Sequence, residues 1–174
     1  IGRSAQATAN NTNAIGRSAR AEGENATAIG HGSVSSGRNS NAFGSSAKAS
    51  AEASTAVGNS TKASGISSTA TGFNAEASGN FSSAYGNDAR AKGNRSVAVG
   101  YNAKAEESAT AVGNNANAGA ANAVALGSGN TITARGGVGI GSSNSVSGID
   151  SGAFGVSNNV AQANTYVLGS NVTS

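Results

Sequence analysis

Small apolar residues alternate with polar ones along the chain, and a larger apolar residue recurs at a regular interval. Segments of the form Ala-x-Ala-x-Gly and Ser-x-Ala-φ-Gly, in which φ is a large apolar residue, follow one another repeatedly. Period-two alternation is typical of β-strands, because successive side chains of a strand point to opposite faces. No stretch sustains the 3.6-residue period of a helix. The pattern predicts an all-β chain of short strands.

The glycine that follows each φ residue defines a repeat. Neighbouring members are 14 residues apart in eleven of twelve intervals and 13 apart between Gly100 and Gly113, where Glu106 and Glu107 replace a three-residue turn. The unit is G-x-x-A-x-A-x-G-x-x-S-x-A-φ. The repeat glycines are Gly2, Gly16, Gly30, Gly44, Gly58, Gly72, Gly86, Gly100, Gly113, Gly127, Gly141, Gly155 and Gly169.

This repeat predicts a parallel β-roll, a β-solenoid of about 12 coils. We expect two strands of about five residues in each coil, joined by two-residue turns. Parallel stacking places coils ~4.8 Å apart, so the rod would be roughly 58 Å long. The alternation turns the Ala, Gly and Ser positions inward, where they close a thin, flattened roll.

The φ residues lie on the opposite strand face from the inward alanines, so we expect them to point out of the roll. An exposed apolar row along a whole rod would aggregate, which predicts that further copies of the chain cover it. Thr71 is the one polar member of this column. The predicted packing residues are Ile15, Ile29, Phe43, Val57, Tyr85, Val99, Val112, Leu126, Ile140, Phe154 and Leu168.

The composition excludes most ordinary classes of protein. Glycine accounts for 26 of 174 residues, charged residues for 11%, and Pro, Cys, Met and Trp are absent. Such a chain has too few large side chains for one globular core, and without its repeat it would be expected to be disordered. The segment Gly136–Gly141 imitates a dinucleotide fingerprint, but Gly139 and Gly141 fall on repeat positions and no helix pattern follows. We expect no enzyme activity and no catalytic, cofactor or metal site; the single histidine, His31, is expected in a solvated turn.

The net charge of +3 is too small and too dispersed to predict nucleic-acid binding, and no apolar stretch is long enough to predict membrane contact. One outward column, four residues after each repeat glycine, is nevertheless basic. It contains Gln6, Arg20, Val34, Lys48, Lys62, Glu76, Arg90 and Lys104. We predict that Arg20, Lys48, Lys62, Arg90 and Lys104 contact a multivalent partner, although basic side chains also keep a β-rod soluble.

The array changes character near residue 127. Coils within 1–127 are alanine-rich, whereas in 128–174 position three becomes Asn130, Asn144 and Asn158, and position five becomes Ile132, Val146 and Val160. Amides pair along parallel stacks, so an asparagine ladder at an inner corner is expected to hold the register. Residues 1–174 thus form one array with a variant end.

Two segments, Ser54-Thr-Ala-Val-Gly58 and Arg95-Ser-Val-Ala-Val-Gly100-Tyr-Asn-Ala-Lys-Ala, carry a family resemblance. They resemble the YadA-like head of trimeric autotransporter adhesins, whose motif is close to N-S-V-A-I-G-x-x-S. The resemblance covers essentially the whole chain. It implies a left-handed roll, a homotrimer, display on a Gram-negative surface and attachment to host extracellular matrix proteins, surface glycans or cells. The family's neck, coiled-coil stalk and outer-membrane anchor are missing, so the chain resembles a fragment of a longer array.

Other functions of a β-solenoid remain open at this point. A structural spacer would hold a binding module located elsewhere, and deleting the segment while restoring its length would identify it. An ice-binding solenoid would carry an outward Thr-x-Thr array, but Asn13, Asn41, Ser83 and Tyr166 interrupt the threonine column at position eleven. Thermal hysteresis would detect that activity. A left-handed acyltransferase helix needs a hexapeptide period, which 14 residues do not match.

Overall fold

A computed structural model describes all 174 residues as a parallel β-solenoid of twelve two-strand coils. The odd-numbered strands form one twelve-stranded sheet, called sheet A, and the even-numbered strands form the other, sheet B. Each strand pairs in parallel with its equivalents in the neighbouring coils. The structure holds no helix with the length and apolar character needed to cross a membrane.

The strands alternate between the two sheets along the chain. They are β1 (Gln6–Ala7), β2 (Asn13–Ile15), β3 (Arg20–Ala21), β4 (Thr27–Ile29), β5 (Val34–Ser35), β6 (Asn41–Phe43), β7 (Lys48–Ala49), β8 (Thr55–Val57), β9 (Lys62–Ala63), β10 (Thr69–Thr71), β11 (Glu76–Ala77) and β12 (Ser83–Tyr85). They continue as β13 (Arg90–Ala91), β14 (Val97–Val99), β15 (Lys104–Ala105), β16 (Thr110–Val112), β17 (Asn117–Ala118), β18 (Val124–Ser128), β19 (Thr131–Ile132), β20 (Val138–Ser142), β21 (Ser145–Val146), β22 (Gly152–Val156), β23 (Asn159–Val160) and β24 (Tyr166–Ser170).

The predicted strand length of about five residues is wrong for most of the array. Sheet A strands have two residues. Sheet B strands have three residues from β2 to β16 and five residues from β18 to β24. The reason is that the ends of each predicted strand close β-turns. Ala19 N donates to Gly16 O at 3.2 Å, and Ala26 N donates to Gly23 O at 3.1 Å, across the two turns of one coil. Only the residues between these turns remain for the ladder.

Each turn has a residue of positive φ at its third position, a feature that the repeat motif did not reveal. These residues have φ between 51° and 59° where they are not glycine, and most are Asn, Ser or Asp. Such residues tolerate the left-handed conformation better than branched ones. The inward serine at the end of the second turn adds a bond: Ser54 Oγ donates to Ala51 O at 2.7 Å, for example. The polar residues at these positions of the repeat therefore serve to form the turns.

In residues 1–127 the core is a stack of small side chains. Alanines at positions three, five and twelve are buried, as in Ala47, Ala49 and Ala56, and the inward serines such as Ser54 are buried with them. The predicted inward set is confirmed. Because these side chains are small, the two sheets approach closely and the roll is thin.

The 13-residue interval is absorbed in a turn. Ala109 N donates to Glu106 O at 3.0 Å, which keeps a four-residue turn while position seven is deleted. The ladder passes this point without a slip, since Lys104 still pairs with Asn117. The Glu107 carboxylate accepts from Asn94 N at 3.0 Å and so ties this turn to the previous coil.

The asparagine ladder predicted for the variant coils is confirmed. Asn130, Asn144 and Asn158 are at most 1% exposed. Asn130 Oδ1 accepts from Asn144 N at 2.9 Å and from its Nδ2 at 3.0 Å, and Asn144 Oδ1 accepts both equivalent donors of Asn158 at 3.1 Å. Each amide also donates to carbonyls of sheet B strands, such as Asn130 Nδ2 to Leu126 O at 2.8 Å. These side-chain bonds join coils inside the roll, whereas the alanine-rich part has side-chain bonds between coils at its turns, such as Asn25 Nδ2 to Asn39 Oδ1 at 3.0 Å.

Candidate functional site

Two outward faces carry the predicted contact residues, and they lie on opposite sides of the thin roll. The φ column belongs to sheet B and the basic column to sheet A. This separation follows from the repeat, which places position four in one strand of the coil and φ in the other. One chain can therefore use the two faces for different partners.

The φ column is continuous in register along sheet B. Ile15 pairs with Ile29, and Tyr85 pairs with Val99. Every member of the predicted packing set is at least partly exposed in the single chain: Ile15 is 43% exposed and Val112 is 37% exposed. Their neighbours in the same strands, such as Ala14 and Ala111, are buried. The predicted outward direction of the column is confirmed.

The basic column is likewise one ladder, along sheet A. Arg20 pairs with Val34, which pairs with Lys48, and Lys48 pairs directly with Lys62. The ladder continues from Lys62 to Glu76, from Glu76 to Arg90 and from Arg90 to Lys104. The five predicted basic residues therefore lie on a single face, in one line along the rod.

The members of this ladder differ in their electrostatic surroundings. Arg20 Nε lies 3.1 Å from Glu22 Oε1, and this is the one salt bridge in the chain. Lys48 and Lys62 have no carboxylate within salt-bridge distance, although Glu76 follows Lys62 in the register. The arginine is thus locally neutralised, whereas the two lysines present unpaired positive charge.

Sequence reasoning missed a second outward column on sheet A, at position six. Glu22 belongs to it, as do Ser50, Ser64 and Lys92, which are exposed. Period two alone could have found it, since positions four and six flank the same buried alanine. In this column Glu22 lies beside Arg20 and neutralises it, whereas serines lie beside Lys48 and Lys62.

Other candidate chemistry in the chain is sparse. His31 is exposed in a turn, as predicted, and its Nε2 lies 2.8 Å from an Arg17 guanidinium nitrogen in the preceding coil. The structure holds no group of three or more His, Asp or Glu side chains arranged to bind a metal, and no pocket. The outward ladders are its main chemical features.

The family comparison agrees with this architecture. The model of the YadA head domain repeat, in two copies, matches residues 7–33, 35–61, 63–89, 82–103, 91–108 and 106–130. These stretches together cover well over half of the chain. No curated protein matches the chain. The stretches that begin at residues 7, 35, 63 and 91 are spaced by 28 residues, which is two 14-residue repeats, and the chain accordingly belongs to the YadA head domain repeat family, which forms the heads of trimeric autotransporter adhesins.

Proposed function

We propose that this chain is a non-catalytic head of a Gram-negative surface adhesin, assembled as a homotrimer of left-handed β-rolls and displayed by an outer-membrane anchor in another part of the protein. Its role is multivalent attachment to host extracellular matrix or cell-surface glycans. Membership of an adhesin family supports this role. So does a rigid rod whose outward residues recur in register. We further propose that 1–127 and 128–174 are two parts of one array.

The observation that carries the assembly is the exposed φ column. Side chains such as Ile29, 36% exposed, and Ile140, 38% exposed, recur along sheet B of a roll whose interior consists mostly of alanine and serine. Burying one such side chain contributes roughly 1.5–3 kcal/mol. A cyclic assembly buries the column in every copy without leaving an open apolar surface, and three copies is the number expected from the family.

The purified chain should therefore behave as a trimer in solution. We expect light scattering to give three times the 16.5 kDa of one chain. The mass should not fall on dilution through the micromolar range, because the apolar column is continuous along the rod. A stable, folded monomer would contradict the proposed assembly.

We propose the basic ladder of sheet A as the contact surface. Arg20, Lys48, Lys62, Arg90 and Lys104 lie on one line, and threefold symmetry would display that line three times. Weak contacts that are linked in this way gain avidity, because each later contact forms at a high effective concentration. The arrangement suits an extended ligand with negative or hydrogen-bonding groups.

Replacing all five basic residues with glutamine should weaken adhesion to immobilised matrix several-fold and remove most of its salt dependence. Contacts between exposed charges are screened by salt, so wild-type adhesion should fall between low and physiological ionic strength. Adhesion of coated beads at two salt concentrations measures this, after circular dichroism has verified the fold. Adhesion that is unchanged, or that ignores salt in the wild type, would eliminate the ladder as the contact surface.

A further inference from the structure

Two successive coils carry the same outward chemistry at the middle of sheet A. Both have the segment Lys-Ala-Ser, at residues 48–50 and 62–64. Ala49 and Ala63 are fully buried, so the lysine and serine on either side of each alanine point outward together. All four of these polar residues are exposed. They form a compact group of two ammonium and two hydroxyl groups.

The serines belong to a longer row beside the lysines. Position six is serine in four successive coils, and all four are exposed. Backbone bonds hold the row in register, with Ser50 N donating to Ala63 O at 3.0 Å and Ser64 N donating to Ala77 O at 2.9 Å. We call this surface the lysine–serine patch; it consists of Lys48, Lys62, Ser36, Ser50, Ser64 and Ser78.

Lys48 and Lys62 lie close together, and no salt bridge compensates their positive charges. Lys48 and Lys62 are direct ladder partners, so their backbones are ~4.8 Å apart. Neither ammonium has a carboxylate within salt-bridge distance, whereas Arg20 is paired with Glu22. Like charges that face each other directly across a ladder destabilise it. A ligand that places negative charge between them would remove this cost.

The chemistry of the patch narrows the class of ligand. Lysine is a flexible point charge, which suits repeated anionic groups better than one anion of fixed geometry. The hydroxyl row offers hydrogen bonds to sugar hydroxyls beside those charges. No aromatic side chain lies at position four or six of any coil, so sheet A offers no platform for stacking bases. Internal strands are paired on both sides, so an acidic peptide finds no free sheet edge along the rod.

We propose that the lysine–serine patch binds a linear sulfated polysaccharide, whose chain runs along the rod with sulfates on Lys48 and Lys62 and sugar hydroxyls on the serine row. Arg90 and Lys104, beyond Glu76 in the same ladder, extend the track. The inference rests on the proposed adhesive function, because it assumes that sheet A faces outward in the assembly and contacts the ligand. It makes Lys48 and Lys62 the principal pair among the five basic residues.

Binding of the full 174-residue chain to immobilised heparin tests the proposal. Lys48→Gln with Lys62→Gln should weaken the affinity about tenfold, and Lys48→Arg with Lys62→Arg should retain it within about twofold. The matched control is Arg3→Gln with Arg38→Gln, which removes the same charge from exposed turns outside the patch. This control should change affinity by less than about twofold, since the remaining effect is long-range.

Competing probes decide the ligand class. Chemically desulfated heparin, single-stranded DNA and polyglutamate should bind at least about tenfold more weakly than heparin at the same ionic strength. An equal loss in the control pair would show that net charge alone drives binding and would overturn the proposal. Equal binding of desulfated heparin, DNA or polyglutamate would overturn it as well, in favour of a neutral glycan, a nucleic acid or an acidic protein segment respectively.

A parallel bead assay separates this inference from the proposed function. If wild-type beads adhere to matrix-coated surfaces while the chain fails to bind heparin, the sulfated ligand is wrong and the adhesin function stands. If heparin binding depends on Lys48 and Lys62 but the beads adhere to no matrix or cell surface, the patch stands and the host-attachment function is wrong.

Discussion

Replacing Gly58 with alanine is expected to reduce the free energy of unfolding by more than about 3 kcal/mol. Gly58 has φ +126°, a conformation that side chains rarely adopt, and a Cβ there would collide with the carbonyl oxygen of Gly72 in the next coil. Backbone cannot move aside without separating the two coils. The substitution therefore combines a strained dihedral angle with a broken contact between two coils. In the proposed trimer both effects would occur in each of the three chains.

Gly32→Ala is the matched control. Gly32 also has a positive φ, of +64°, but a Cβ there would meet only Ser46 Oγ at 3.9 Å. The expected cost is about 1 kcal/mol, since only the left-handed conformation is unfavourable. Chemical denaturation followed by circular dichroism compares both variants with the wild type. Equal effects of the two substitutions would show that close coil approach does not limit the repeat glycine.

Val99→Asp should destabilise the proposed trimer by about 3 kcal/mol or more per subunit, whereas Lys92→Asp should cost little. In the single chain both side chains reach solvent, because Val99 is half-buried and Lys92 is exposed. A monomer would therefore tolerate both changes. In the trimer the φ column is buried between copies, so an aspartate at 99 would be a buried charge without a partner, present three times.

Light scattering and thermal unfolding of the two variants distinguish these cases. We expect Val99→Asp to dissociate or to unfold at a clearly lower temperature, and Lys92→Asp to keep the mass and melting behaviour of the wild type. Both variants introduce the same side chain into one coil, on its two opposite outward faces. Similar behaviour of the two would place the φ column outside the interface.

Much of the architecture was predictable because a repeat restates the same information in every coil. The 14-residue period predicts parallel coils, and the alternation within it separates buried alanines such as Ala98 from outward neighbours such as Val99. The Asn130–Asn144–Asn158 ladder followed from the same logic, since equal side chains at equal positions must stack. None of these inferences required an interatomic distance from the structure.

The strand lengths and the neutralisation of Arg20 required the structure. Period two runs through Ala19 and Gly23, but Ala19 N and Gly23 O close turns, so the strand between them is only Arg20–Ala21. The alternation of small and polar residues does not distinguish turn residues from strand residues, because the side chains of both can point to the same face. Likewise, Arg20 and Lys104 each have a glutamate two residues later, and only the structure shows that Arg20 Nε lies 3.1 Å from Glu22 Oε1 whereas Lys104 forms no salt bridge with Glu106.

The period, the all-β class, the buried and outward positions and the register of each column follow from the amino-acid sequence alone. Which backbone groups close turns, which charges are compensated and how closely neighbouring coils approach became known only from the folded chain. Periodicity depends on side-chain direction, which the local backbone sets. Turn closure, ion pairing and the need for glycine at Gly58 depend on distances between atoms of different coils or different residues, and those distances exist only once the coils have stacked.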